Sequence, residues 1–405
     1  MPPRLGVSPW VGRRPGAGGP ALQRFRGDAS ADVVVIGAGL TGCATALALA
    51  TTRRRVVLLE GDRVGRGGTA VASGLLLSVP DPSFQRVAGD LGLRRAKLAF
   101  AGWQRAARDA AALLRREKIA SGLISGDAFV ATDHGGLREL ERELALRQTA
   151  GHDVRWLTQT EASARLGTSL PGALRVGGAA WIDPYRTCLG LLAAGRRRGV
   201  LAYERSPVTQ VRSSADGVEV RLATGTVRAG AVVVATGLPG RLYPGLRRHF
   251  LDQDATLVLT EKPAVAARKA TAGIELTVRT LSGRLHEIVR LSDGRLLVVG
   301  AEQEAVPTRA QDRHIREWTF ELMYELLKAY PAISGLPPAF GWLGRRAVAR
   351  DGLPYVGTHR NYPHHFFALG TLGHSMTGAF LAARLLTRAV QGEPAPGDDA
   401  FGFRR

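Results

Sequence analysis

The run Val33-Val34-Val35-Ile36, followed at once by Gly37-Ala38-Gly39-Leu40-Thr41-Gly42, constrains this chain more than any other feature. Four consecutive β-branched residues read as a parallel strand buried on both faces. The Ala- and Leu-rich stretch Cys43–Ala50 reads as a helix, and Val56–Leu59 as a second strand ending in Glu60. Each part has a physical task. Gly37 allows the tight turn, Gly39 lets backbone amides approach a pyrophosphate, and Gly42 lets helix and strand pack closely. Leu40 and Thr41 open the helix, whose N-terminus faces the anion. Glu60 lies 18 residues past Gly42, placed to bind ribose hydroxyls, and its charge argues against a 2′-phosphate. The unit predicts a bound adenine dinucleotide, either NAD or FAD.

With 405 residues, 45% of them hydrophobic, the chain has material for a large core and about two domains. Cys43 and Cys188 are its two cysteines, too few for a disulfide framework or a cysteine metal cluster. The net charge is +20, and only five of the 55 basic residues are lysines. The arginines are scattered in short runs such as Arg53–Arg55 and Arg196–Arg198, not gathered into one stripe, so no specific nucleic-acid partner is expected. Residues 1–30 contain no apolar signal core and are expected to form a flexible arm, loosely structured over Ser8–Arg26. Val33–Ala50 is uncharged, but its three glycines suit a strand, turn and helix better than a membrane span. These features point to a cytoplasmic protein with no transmembrane segment.

After Glu60 the chain does not proceed to another helix and a third strand. A loop of small residues, Arg63–Gly74, returns toward the nucleotide, where its backbone amides would line a second stretch of a long cofactor. Ala231–Ala235 is another buried strand, ending Ala235-Thr236-Gly237. In order along the chain stand GAGLTG at 37–42, VVLLE at 56–60, GRGGTAVASG at 65–74 and WIDPYRTCLGLLAAGRRRGV at 181–200. VVVATG at 232–237, DGLPYVG at 351–357 and GTLGHSMTGAF at 370–380 follow. In these segments, over nearly its full length, the chain resembles the FAD-dependent oxidoreductases of the D-amino-acid oxidase superfamily. That group includes glycine and sarcosine oxidases, D-amino-acid dehydrogenases and γ-glutamylputrescine oxidases.

The resemblance implies an α/β Rossmann-type FAD-binding domain and a second substrate domain built on a mixed or antiparallel sheet. It implies FAD bound non-covalently, since no cysteine falls where sarcosine oxidases attach it. It places Gly39, Glu60, Arg66, Gly67 and Thr69 around the adenosine and pyrophosphate, and Val208 near the adenine. Ala235 and Gly237 end the strand beside them, and the backbone of Gly373, Met376 and Thr377 faces the isoalloxazine. A helix over Gly378–Ala389 would aim its positive end at the flavin.

For the chemistry, the resemblance implies an arginine five residues before the Asp-Gly pair as anchor of a substrate carboxylate. Arg346 stands there, with Arg345 as competitor, and a guanidinium grips a carboxylate with two parallel hydrogen bonds. Where glycine-oxidase-like members carry a strand tyrosine, this chain reads His286-Glu287-Ile288-Val289-Arg290. His286 and Glu287 are the candidates to face the substrate there, with a structural role the alternative for each. His374, in the flavin-facing loop, is a candidate for tuning the ring or the pocket. The expected reaction oxidises the C–N bond of an amine or amino acid. A hydride passes to flavin N5, the imine hydrolyses, and electrons go on to O₂, a quinone or a partner protein. No dedicated general base is evident. The alternatives are oxidation of a hydroxy acid on the same fold, and a non-catalytic flavoprotein-like subunit that binds a partner or nucleic acid.

The expected division gives 31–90, 151–240 and 341–405 to the FAD-binding domain, and 91–150 with 241–340 to the substrate domain. Alternating runs at Val208–Arg212, Val218–Leu222, Val227–Ala229, Thr256–Thr260, Leu285–Leu291 and Arg295–Val299 read as an antiparallel sheet of that second domain. Leu93–Lys118, Leu137–Gln148 and Asp312–Ala329 read as amphipathic helices, and Asp183-Pro184 as a helix start.

Overall fold

The computed structural model describes residues 2–12, 22–274, 276–280, 284–373 and 375–405. The β-branched run sits at the centre of an eight-stranded sheet, on the strand Gly27–Ile36. Val56–Leu59 and Leu201–Tyr203 extend that sheet on one side, Gly225–Gly237 and Tyr362–Leu369 on the other, all parallel. Tyr355–His359 closes the edge antiparallel. Side chains alternate across the sheet as a pleated strand requires. Val33 and Val35 pack against the helices Leu40–Thr51, Pro184–Arg197 and Thr377–Gln391, while Val34 and Ile36 face the apolar side of a meander carrying Val218 and Val220. Burial on both faces is why the run has no polar alternation.

The glycines do what the spacing demands. Gly37 has φ +99°, and a Cβ there would stand 2.7 Å from the Ala235 carbonyl oxygen. A Cβ on Gly42 would lie 1.8 Å from the carbonyl oxygen of Gly37. At Pro184–Arg197 the Asp183 carboxylate accepts the Arg186 amide at 3.0 Å with Pro184 next in the chain, as the sequence predicts.

The second sheet has ten strands and is mixed. It runs Arg4–Leu5, Pro338–Ala349, Phe250–Thr260, Leu296–Glu304, Leu285–Arg290, Thr277–Thr280, Ile124–Ala131, Gly172–Trp181 and Leu75–Leu76, with Val154–Thr158 paired to Gly172–Trp181. The helix Gln311–Ala329 covers one face, burying Ile315, Leu322 and Leu326.

Three expectations are corrected here. Residues 151–240 and 341–405 were expected in the FAD-binding domain, yet Val154–Thr158, Gly172–Trp181 and most of Pro338–Ala349, which fall in those stretches, pair in the ten-stranded sheet. Conversely, Val208–Ser213 and Val218–Leu222 form an antiparallel meander on Gly225–Gly237, and so belong to the nucleotide sheet. What assigns a strand to a sheet is pairing across long gaps, as of Gly225–Gly237 with Gly27–Ile36, which leaves no local signal, so alternation identified these strands without identifying their sheet. The arm is the third correction. Arg4–Leu5 pairs with Phe340–Gly341, Pro9–Gly12 is helical, and Ser8 and Trp10 are buried. Trp10 finds an apolar niche between Trp181 and Trp342, which offsets the entropy of ordering this segment. Residues 13–21 lie outside the described residues. No helix among the described residues is long and apolar enough to cross a membrane.

Candidate active site

The carboxyl ends of the parallel strands open onto a cavity of about 400 Å³. Ligands of open α/β sheets bind in this position, outside the strand ends. Gly37, Gly39, Leu40, Thr41, Glu60, Gly67, Thr69, Val208, Ala235 and Gly237 all line it. The sequence therefore placed ten of its cofactor-site candidates on one surface. Gly42 lies beneath it as a packing residue, consistent with its assigned task. The loop and helix start are fixed to one another: the Leu40 amide donates to Thr69 Oγ1 at 2.8 Å, and Thr41 Oγ1 and Thr371 Oγ1 are 2.7 Å apart. Glu60 Oε2 accepts the Ala38 amide at 2.7 Å and Oε1 accepts the Asp62 amide at 2.9 Å. Each carboxylate oxygen accepts more than one hydrogen bond, so Glu60 retains capacity for ribose hydroxyls.

The residues fit an adenine dinucleotide on structural grounds. Gly67 and Gly237 have open space where a Cβ would stand, so the backbone there is bare toward a ligand. The helix Leu40–Thr51 presents its N-terminus to the same space.

Several candidates lie elsewhere. The Arg66 guanidinium stands over the Tyr185 ring, 5.5 Å from its centroid, and lines a different cavity with Trp10 and Asp183. Met376 is 1% exposed, and its amide donates to the Leu75 carbonyl at 2.7 Å. Thr377 is fully buried, with Oγ1 donating to the Leu77 carbonyl at 2.8 Å. These two residues fasten the last helix to Leu75–Leu77, and neither lines the cavity at the strand ends. His374 lies outside the described residues. Gly373 does face a cavity, and a Cβ on it would meet Asp81 Oδ2 at 2.0 Å, so its smallness serves an internal contact as well.

Adjoining the large cavity is a small one of about 40 Å³. Gly68, Leu372, Arg345 and Arg346 border both. The two arginines, candidate and competitor in the sequence, separate here. Arg345 is clamped to Asp254, with Nε at 2.9 Å from Oδ1 and Nη2 at 2.8 Å from Oδ2, and it also donates to the Val306 carbonyl. The Arg346 side chain is 8% exposed, and its Nη2 lies 2.7 Å from Glu302 Oε1. On the same small cavity stands Glu287, fully buried. Desolvation dominates its ionisation, pushing the carboxyl up to about 7 despite the nearby Arg279 and Arg346. His286 is not on the cavity. Its Nδ1 lies 3.6 Å from Glu302 Oε2 and burial lowers its pKa, so it enters the site only through Glu302.

Sequence reasoning missed Arg279, Asp81 and Glu302, which surround Glu287. Pairing of Thr277–Thr280 with Leu285–Arg290 sets Arg279 directly opposite Glu287. It also missed three indoles that cap three successive carbonyls of the small-residue loop. Trp342 donates to Val71 at 3.0 Å, Trp10 to Ala72 at 2.8 Å and Trp181 to Ser73 at 2.9 Å. Tryptophans scattered at 10, 181 and 342 carry no sequence signal for such a cluster.

The comparisons with known proteins agree with this geometry. The chain is 26% identical over 377 residues to the probable oxidoreductase OrdL of Haemophilus influenzae, covering 90% of this chain and 83% of that protein. It is 27% identical over 374 residues to the gamma-glutamylputrescine oxidoreductase of Escherichia coli, covering 91% and 85%. The crystal structure of glycine oxidase from Geobacillus kaustophilus superposes with a TM-score of 0.75 at 25% identity, covering 93% of this chain and 99% of that one. The model of the DAO family, described as FAD dependent oxidoreductase, matches residues 32–389, and the chain belongs to that family of FAD-using enzymes.

Proposed function

We propose that this enzyme oxidises the C–N bond of a small amino or imino acid, with the carboxylate of the substrate bound by Arg346. The observation that carries the reading is the position of Arg346: a guanidinium 8% exposed, bordering both the cavity at the strand ends and the small cavity beside it. The names of the relatives, glycine oxidase and gamma-glutamylputrescine oxidoreductase, support an amine as the oxidised group.

The residues that would hold FAD are Gly37, Gly39, Leu40 and Thr41 at the pyrophosphate, Glu60 at the ribose, and Gly67–Thr69, Val208 and Ala235–Gly237 along the rest of the cavity. Cys43 and Cys188 are buried against each other, Sγ to Sγ 3.7 Å, which supports a non-covalent mode of binding. When bound, FAD supplies the acceptor for a hydride from the carbon next to the substrate nitrogen. Arg346 supplies orientation. Glu302 fixes its guanidinium, so a carboxylate docking on it meets a preset direction. The imine then hydrolyses in water.

The test is the visible spectrum of the purified protein. It is followed by anaerobic addition of glycine, sarcosine, D- and L-amino acids, proline, polyamine conjugates and 2-hydroxy acids. Bleaching by carboxylated amines is expected. Arg346→Lys should lower kcat/KM on them by roughly 10²-fold, because a point charge replaces a two-pronged grip. Bleaching by hydroxy acids alone, or an Arg346→Lys protein with unchanged kcat/KM, would refute the reading. Reoxidation in air against reoxidation by a soluble quinone then identifies the electron acceptor.

A further inference from the structure

We propose that Glu287 takes the proton of the substrate's ammonium group and holds it while the C–N bond is oxidised. This rests on the reading of the enzyme as an amine oxidiser and assigns that reaction the proton acceptor its sequence does not reveal.

Glu287 is fully buried, and neither of its carboxylate oxygens has a hydrogen-bond partner among the described residues. Its nearest cation is Arg279, with Nε 3.8 Å from Oε1. That distance is an ion pair but too long for a hydrogen bond. A buried carboxylate without donors is costly, and such groups persist where something else supplies the donor. The carboxylate faces the small cavity, whose other walls include Gly68, Ser73, Arg346 and Gly373. At about 40 Å³ that space admits a nitrogen and its protons but no bulky group. An ammonium carries donors and no acceptor, so it is the complement of Glu287.

The charges around it explain why Glu287 is the member that exchanges a proton. Arg279 faces it from the neighbouring strand on one side, Glu302 from the strand on the other, Arg346 from Pro338–Ala349, Asp81 from the loop that touches Gly373, and His286 precedes it in the chain. Arg346 pairs with Glu302, and Arg279 Nη2 lies 4.0 Å from Asp81 Oδ1. Arg279 is thus shared between Asp81 and Glu287, and of these three acids Glu287 is the most buried. Its carboxyl is held at about 7, where it changes protonation under neutral conditions.

The proton ledger closes. Substrate R₂CH–NH₃⁺ and the Glu287 carboxylate become R₂CH–NH₂ and the Glu287 carboxylic acid; one N–H bond breaks, one O–H bond forms, and no electrons move. Only the neutral amine has the lone pair that drives loss of hydride from carbon. The iminium formed takes up water, and Glu287 returns its proton to solvent when product leaves.

The test uses the FAD-loaded protein, Glu287→Gln and Glu287→Asp, with whichever amine of the panel above bleaches wild type. Flavin-reduction rates are measured anaerobically from about pH 6 to about pH 10. At neutral pH, Glu287→Gln should reduce roughly 10²–10⁴-fold more slowly, and Glu287→Asp should recover part of the loss. The deficit of Glu287→Gln should shrink as pH rises and the substrate's own ammonium deprotonates, a rescue that a packing defect would not show. A deficit of equal size at every pH, or less than about threefold at neutral pH, would overturn the proposal. A second readout needs no substrate. Infrared difference spectra should show a carboxylic acid band in wild type that disappears as pH passes through neutrality, and no such band in Glu287→Gln. If wild type shows no band attributable to Glu287, the proposal fails even where amines bleach the flavin. If no amine bleaches the flavin, the amine-oxidase reading fails, and the infrared titration still tests Glu287 as a proton carrier.

Discussion

Replacing Arg405 by alanine should destabilise the protein far more than its position at the edge of the sequence implies. The Arg405 side chain is 1% exposed. Nε lies 2.5 Å from Asp351 Oδ2 and Nη2 lies 3.1 Å from Oδ1, while Nη1 reaches the Pro354 carbonyl at 2.8 Å and Nη2 the Leu353 carbonyl at 2.5 Å. The guanidinium also stands 3.8 Å from the centroid of the Tyr355 ring. This one side chain therefore ties down the turn that follows the strand carrying Arg346. Breaking a buried ion pair by removing one partner costs about 3–5 kcal/mol, and Asp351 keeps 17% exposure, which places the expectation near about 3 kcal/mol. At about 2.1 cal/mol/K of unfolding entropy per residue, 405 residues give roughly 0.85 kcal/mol/K, so the melting temperature should fall by about 3–4 °C. The assay is calorimetry at saturating FAD, on Arg405→Ala, Asp351→Asn and the double variant. Most of the penalty is the uncompensated Asp351 charge, so the double variant should be more stable than the sum of the singles by at least about 1 kcal/mol. Strict additivity, or an Arg405→Ala protein within about 0.5 kcal/mol of wild type, would refute the argument.

Three further outcomes are expected. Glu287→Gln should flatten the pH dependence of stability. The folded chain keeps the Glu287 proton up to about 7 while the unfolded chain releases it near 4.5, so wild type binds more protons when folded and loses stability as pH rises between those values. The difference is on the order of 3 kcal/mol, and urea titrations of both proteins at pH near 5 and near 8 would expose it. Gly42→Ala should fail to load FAD, since its methyl group would overlap the Gly37 carbonyl at 1.8 Å, and the ratio of flavin to protein absorbance reads this directly. Trp10→Phe keeps an aromatic ring, though a smaller one, and removes the indole donor to the Ala72 carbonyl, costing about 1–3 kcal/mol and weakening FAD retention on dilution. Unchanged retention would separate the arm from the cofactor.

How much was legible in the sequence depended on the range of the interaction. The glycine spacing at 37–42 and the acid at 60 are decided within one strand–turn–helix unit, and nearly all of their expected neighbours line one cavity. Arg66 shows the limit. Its backbone follows the same loop, but the direction of its side chain is set by Tyr185, more than a hundred residues away in sequence. Glu287 and His286 were indistinguishable as neighbours in one strand. Pairing with Arg279 on one side and Val299 on the other fixed which of them faces the cavity. The assignment of strands to sheets failed for the same reason, because a period of two reports that a strand exists and says nothing of its partner.

The three indoles on Val71, Ala72 and Ser73 have a consequence for how this protein is observed. They are half of its six tryptophans, with the Trp10 ring 5.6 Å from Trp181 and 6.1 Å from Trp342 by centroid. All three report on one loop, and that loop forms a wall of both the small cavity and the approach to the large one. An isoalloxazine absorbs where indole emits, so emission from this cluster should be quenched when FAD is home and restored when it departs. Cofactor exchange would then be visible in the protein's own ultraviolet light, without a label.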